Sequence, residues 1–274
     1  MISFNSFKNF FMVNITLFTV SILDCFISNV FSSNNYITNL SSNVLISLSI
    51  NCFLLYNVEN FTKDKLYIGE KDRTLILEKH KTEFQMYLLS STIIGSITNL
   101  LIEKYFVDSE GILLSNVIYF VPISFSFELL FDFFHYWSHR ILHSNKYLYK
   151  MIHKHHHKFS SPIPLITFYQ HPVDLLLSNS IPSFLSFFII NKLFGINISQ
   201  LLFKLIMNYK TFIEISGHCG KETKTSSFPQ CIWLPRYLNI ELYAKNHDLH
   251  HTSNNCNYSK RFSLWDKCFG TYSD

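Results

Sequence analysis

The strongest constraint on how this chain folds is a helical histidine spacing that recurs in three separate stretches. The segment from Asp132 to His157, DFFHYWSHRILHSNKYLYKMIHKHHH, holds seven of the thirteen histidines. His135 and His139 are spaced i, i+4. His153, His156 and His157 are spaced i, i+3, i+4, and His247, His250 and His251 repeat that pattern near the C-terminus. Residues so spaced share one face of a helix. Neutral imidazole is the commonest protein metal ligand, and three such faces enclose more than one ion if the fold brings them together. Histidine richness alone, as in metal-sticky surface tracts, does not repeat a helical phase. The spacing therefore predicts a polynuclear metal site assembled from distant segments.

Charged residues make up 15% of the 274-residue chain, against about 25% in soluble domains. Hydrophobic residues reach 48% and aromatics 17%, with 28 Phe. This balance predicts a membrane protein; the mean hydropathy of +0.14 is held down by abundant Asn and Ser. A net charge of +4 is too small for a nucleic-acid-binding surface. The six cysteines form no C-x-x-C pair and read as free thiols.

Apolar runs at 10–31, 40–58, 84–102, 112–134, 174–190 and 197–215 are each candidates to cross or enter a bilayer, whose hydrocarbon core takes a helix of about 20 residues. The first reads as a retained anchor rather than a signal peptide, because no small-residue cleavage site follows it. The run 112–134 leads straight into His135 and His139, which places them at the membrane surface. Ser144 and Asn145 are expected to interrupt that helix. Arg140, Lys146, Lys150, Lys154 and Lys158 make the following loop the most basic in the chain, and basic loops stay cytoplasmic. The runs 174–190 and 197–215 form a hairpin that returns the chain to the same side, and Lys204 and Lys210 within it are expected to snorkel to the interface. The predicted fold is all-α: an integral membrane bundle of about four to six spanning or re-entrant helices under a cytosolic, histidine-rich di-metal cap.

The spacing leaves some histidines undecided. His143 lies i+4 from His139 on the same stripe, so helix geometry cannot exclude it. His155 should point away from its box, and His80 reads as a surface residue. His171, before Pro172, and His218, beside Gly217, stand where the chain meets the same membrane face. A donor set of imidazoles suits Fe, Zn, Cu or Ni and not Mg or Ca. Asp132, Asp174 and Asp248 lie within three residues of a box histidine or His171, placed to accept a remote ring N–H and fix the tautomer. An all-histidine site beside apolar spans suits oxidation of an unactivated lipid C–H bond, which requires a redox metal and O2. Haem, flavin and dinucleotide motifs are missing from the sequence, so electrons would come from outside.

Taken together, D-x-x-H-Y-x-x-H-R-x-L-H (Asp132 to His143), H-K-x-H-H (His153 to His157), Q-H-P (Gln170 to Pro172), G-H-C-G (Gly217 to Gly220) and H-D-L-H-H-T…WDKCFGTY (His247 to Tyr272) resemble the fatty acid hydroxylase superfamily. The sterol C4-methyl oxidase and cholesterol 25-hydroxylase branch is the most similar. The resemblance covers about 118–274 and divides the chain into an N-terminal membrane-anchoring region, 1–110, and a hydroxylase-like domain, 111–274. It implies an endoplasmic-reticulum enzyme with two iron ions on the cytosolic face (zinc being possible in a purified form). Such an enzyme uses O2 and electrons from cytochrome b5 or its reductase to oxidise a sterol or acyl chain. Position by position it implies the ligands His135, His139, His153, His156, His157, His218, His247, His250 and His251, with His171 an additional ligand or neighbour, and leaves His143 outside the set. Asn246 stands where the family often has another histidine. The polar KETKTSSFPQCIW after Gly220 replaces a compact aromatic segment and bears on the substrate entrance.

The nearest alternative is a sterol C5- or acyl desaturase of the same superfamily, distinguished by a new double bond in place of a hydroxyl. A zinc-dependent membrane hydrolase would turn over without O2. A histidine-lined metal transporter would need its ligands within the spans. Replacing His153 or His250 by Ala should abolish lipid oxidation, while replacing His80 or His155 should leave most of it. Product analysis showing equal losses at all four positions would overturn the face assignment.

Overall fold

The computed structural model describes residues 4–70, 73–108, 118–223 and 227–274. The domain boundary expected at 110/111, the first part of the run 112–134 and residues 224–226 of the segment after Gly220 fall outside them. Helices dominate. α1 (Phe4–Val30) and α2 (Tyr36–Thr62) form an antiparallel pair, and α2 is started by Asn35, whose side chain accepts the N–H groups of Ile37 and Thr38. A short α3 (Thr74–Lys79) leads into α4 (Lys81–Phe106). α5 (Phe120–Ser144) ends where Asn145 caps α6 (Lys146–Met151), the interruption expected there. α7 runs from Pro172 to Leu193 with π turns at Leu176–Ser180 and Ile189–Leu193. α8 (Gln200–Gly217) follows, then the short α9 (Trp233–Tyr237), α10 (Ala244–Ser253) and α11 (Leu264–Cys268). A two-residue parallel pairing of Val107–Asp108 with Ile198–Ser199 ties the end of α4 to the start of α8.

Among the described residues four helices are long and apolar enough to cross a membrane: Lys8–Val30, Tyr36–Thr62, Lys81–Phe106 and Pro172–Leu193. They turn apolar side chains such as Ile15, Phe26, Ile37, Leu45 and Met86 outward, as a lipid-facing surface requires. α8 behaves differently from the expected second arm of a hairpin. Thirteen of its eighteen residues are buried, so it is the axis of the bundle, wrapped by α1, α2 and α5. One apolar cluster runs through this axis and joins residues from Val13 to Ala244.

The expectation that Lys204 and Lys210 snorkel is corrected by the same arrangement. Both are buried, because other helices bring them partners. The Lys204 ammonium lies 2.9 Å from Glu103 on α4 and 3.5 Å from Asp24 on α1. Lys210 donates to Asn179 Oδ1 at 2.6 Å and pairs with Glu214 at 3.0 Å. Above them Arg261 reaches Glu128 on α5 at 2.6 Å and Glu214 at 2.8 Å, all three out of solvent. A buried charge without its partner costs several kcal/mol, so these contacts fix which helix faces meet.

Arg261→Met leaves two carboxylates without their shared cation and should destabilise the protein by about 3–5 kcal/mol. Thermal unfolding in detergent micelles reads this as a lowered Tm, and an unchanged Tm would remove the pair from the fold's supports.

Candidate metal centre

The histidines converge at one end of the bundle through four elements. α5 supplies His139 and His143. Asn145 breaks that helix, and after α6 the chain enters a 3₁₀ turn, His153–Lys158, that carries the second box. The end of α8 delivers His218, and α10 carries the third box.

Two groups of ring nitrogens result, each with all its donor atoms within 4.8 Å of one another: His139, His143, His153, His157 and His250 in the first, His156, His218, His247 and His251 in the second. The boxes interleave. The i, i+4 pair 153/157 joins the first group and its i+3 member, His156, joins the second; in the third box, 247/251 joins the second group and His250 the first. The groups touch, with the rings of His157 and His251 at 4.6 Å between centroids.

Outward hydrogen bonds fix the ring tautomers. His139 Nδ1 donates to Tyr258 O at 2.8 Å, His250 Nδ1 to Cys256 O at 2.7 Å, and His218 Nδ1 to Glu214 O at 2.8 Å with Thr167 Oγ1 at 3.1 Å. His153 Nδ1 donates to the Asp174 carboxylate at 2.7 Å, and His156 Nδ1 faces Tyr169 O at 3.3 Å. Burial holds His156, His157, His247 and His251 well below the ordinary histidine range, with neighbouring imidazoles adding to the effect. Burial likewise pushes His218 and His250 down to about 3. A neutral ring whose proton sits on Nδ1 turns a bare lone pair inward from Nε2.

These lone pairs face one another. Nε2 of His139 lies 3.1 Å from Nε2 of His153, and that of His156 lies 3.3 Å from that of His218. In the second pair each ring has its Nδ1 proton engaged elsewhere and is kept neutral by burial, so neither partner is a donor. Such an arrangement fits a shared cation. Ligands about 2.0–2.1 Å from one tetrahedral ion lie roughly 3.3–3.4 Å apart, close to the observed separations. The donor chemistry therefore suits two imidazole-bound transition-metal ions.

Two histidines expected as ligands lie outside both groups. His135 donates from Nδ1 to Ser178 O and stacks on Phe131, one turn short of the cluster. His171 caps α7, its Nδ1 accepting the Val173 N–H at 3.2 Å. His143, which the resemblance set aside, stands within the first group. The pairs 135/139 and 139/143 have equal spacing, and the break at Asn145 brings the second box beside the later pair. His155 stacks on Tyr169 away from the groups, and His80 contacts Glu83 and Phe159.

Of the three aspartates, Asp174 holds a ring. Asp132 instead accepts the backbone N–H groups of Lys260, Arg261 and Phe262 at 2.7, 2.9 and 3.0 Å, pinning that segment to α5. Asp248 pairs with the buried Arg73 at 2.7 Å. Arg73, just before α3, also donates to Pro162 O and Ile68 O at 2.8 Å each, tying the N-terminal part to the second and third boxes. Gly220 makes room for it: at φ +64° its backbone is left-handed, and a Cβ there would lie 2.2 Å from the Arg73 guanidinium. Gly220 closes the G-H-C-G stretch, whereas no local sequence pattern marks Arg73.

A helical bundle with four candidate spans and two adjoining histidine groups at one end defines a membrane protein built around a polyhistidine centre. The chain belongs to the fatty acid hydroxylase family, whose model matches residues 124–271. It is 32% identical over 150 residues to sphinganine C4-monooxygenase 1 of Arabidopsis thaliana, covering 53% of this chain and 51% of that one. It is 35% identical over 144 residues to methylsterol monooxygenase 2-2 of the same plant, covering 51% and 48%. Against a very-long-chain aldehyde decarbonylase of Oryza sativa subsp. indica it is 27% identical over 192 residues, 68% of each chain. The matched region thus spans about half the length of the two Arabidopsis relatives. No solved structure matches.

His143→Ala should lower the metal content below two ions per chain, whereas His135→Ala should retain both. Elemental analysis of protein purified in detergent distinguishes them, and equal retention would dissolve the assignment of His143 to the first group.

Proposed function

We propose that the chain is a membrane-bound di-iron oxygenase that hydroxylates an unactivated C–H bond of a lipid, a sterol above all. The observation that carries this reading is the pair of adjoining nests of imidazoles, with their donor atoms brought together, beside apolar spans. In it His139, His143, His153, His157 and His250 hold one ion, and His156, His218, His247 and His251 hold the other. Residues 111–274 form the catalytic unit and residues 1–110 anchor it, with Arg73 reaching across to steady the third box.

The chemistry a bound redox pair supplies is reductive activation of O2, for which electrons come from an outside donor such as cytochrome b5 or its reductase. The chain's own residues set the conditions. Asp174 and the carbonyls of Tyr258, Cys256 and Glu214 hold the rings in one tautomer and orientation. A narrow pocket of about 30 Å³ reaches His218 and His247, with Phe212, Ile213, Leu242 and Ala244 among its walls. Apolar side chains beside the donors keep water from the reacting carbon. The basic stretch Arg140 to Lys158 beside the centre supports a cytosolic face, and the family supports an endoplasmic-reticulum membrane. The methylsterol monooxygenase relative supports a sterol as substrate.

The test is lipid profiling in cells lacking their own sterol C4-methyl oxidase, with His156→Ala as control. Clearance of 4-methyl sterols by the wild type alone is the expected result. An unchanged profile removes the 4-methyl sterol, a new double bond without a hydroxyl replaces the reading by a desaturase, and turnover without O2 replaces it by a hydrolase.

A further inference from the structure

Among the described residues, the pocket beside His218 and His247 has one lysine or arginine in its wall, Lys260. Its side chain is 7% exposed, and no described group lies within hydrogen-bonding distance of its Nζ. The nearest counter-charge, Glu214 Oε1, is 3.9 Å away and is already taken by Lys210 at 3.0 Å and Arg261 at 2.8 Å. The position is imposed by the backbone: the Lys260 N–H is held by Asp132 at 2.7 Å and the next two N–H groups by the same carboxylate. An ammonium kept out of water without an acceptor is costly. In a pocket that also presents Phe212, Ile213, Leu242 and Ala244, one placed polar group of this kind fixes ligand orientation.

We infer that Lys260 orients the lipid by donating a hydrogen bond to an oxygen of the substrate, a hydroxyl or carboxylate lying close to the carbon that meets the histidine centre. This rests on the lipid-oxygenase reading and narrows it, since a purely hydrocarbon chain leaves the ammonium without a partner. Lys260 is a binding residue that sets which carbon is presented. The shared chemistry is an acceptor oxygen, and its source is either a ring hydroxyl or an acyl carboxylate.

The experiment measures equilibrium binding of two matched pairs, cholestanol with cholestane and stearate with octadecane, to the full chain in nanodiscs. Binding is compared for wild type, Lys260→Met and Lys260→Arg. Wild type should favour the oxygen-bearing member of at least one pair, which identifies the source. Lys260→Met should weaken that member about 10- to 100-fold, the size of one charge-assisted hydrogen bond, and leave its hydrocarbon partner unchanged. Lys260→Arg should restore most of the preference. Metal content and Tm equal to wild type show that Lys260→Met is folded; if it is not, the Arg variant and the wild-type preference decide. Wild type that binds both members of each pair alike, or a Met variant with an intact preference, overturns the inference. Wild type that discriminates through Lys260 yet oxidises no lipid overturns the functional reading alone.

Discussion

The opposition of imidazole lone pairs at about 3 Å is the interaction on which the rest of this structure depends. Two neutral rings that face each other with bare nitrogens repel unless a cation lies between them, so the bundle must hold them in place from outside. It does so by giving the far side of the rings fixed acceptors: backbone carbonyls of Tyr258, Cys256 and Glu214, and one carboxylate, Asp174. Backbone acceptors are rigid, and they orient the rings without adding charge. Burial then keeps the rings of His139, His218 and His250 unprotonated. The centre is prepared for metal by the same contacts that fix its geometry.

Supporting that cluster requires ionic contacts inside an apolar bundle. α8 carries Lys204, Lys210 and Glu214 through the middle, and each meets partners from α1, α4, α7 or the segment after α10. Such pairs add little net stability, but they define which helix faces meet, a role that apolar contacts alone, being non-directional, leave open. Glu214 joins the two systems: its carboxylate closes the ionic network while its backbone carbonyl orients His218.

Much of this is legible in the sequence. Low charge and long apolar runs indicate a helical membrane bundle, and repeated i, i+3, i+4 spacing marks the second and third boxes, because both are consequences of helical period. That His143 stands within the first group and His135 outside it is not legible, since both stand four residues from His139. Nor is the 3₁₀ geometry of His153–Lys158, which sends His156 to one group and His153 and His157 to the other. The ion pairs of Lys204 depend on partners more than a hundred residues away, as does the hold of Arg73 on Asp248. Asp132 sits near a box and yet serves the backbone of a distant loop, a role that sequence proximity misassigns.

Interleaving of the boxes has a consequence for biosynthesis. Each nest draws on segments translated far apart, and both require α10 before their rings are complete. A nascent chain that has threaded its apolar helices into the bilayer, but has not yet emerged as far as residue 251, therefore exposes only a partial donor set at either position. Completion of one nest is bound to that of the other, and neither donor set is whole until the third box docks.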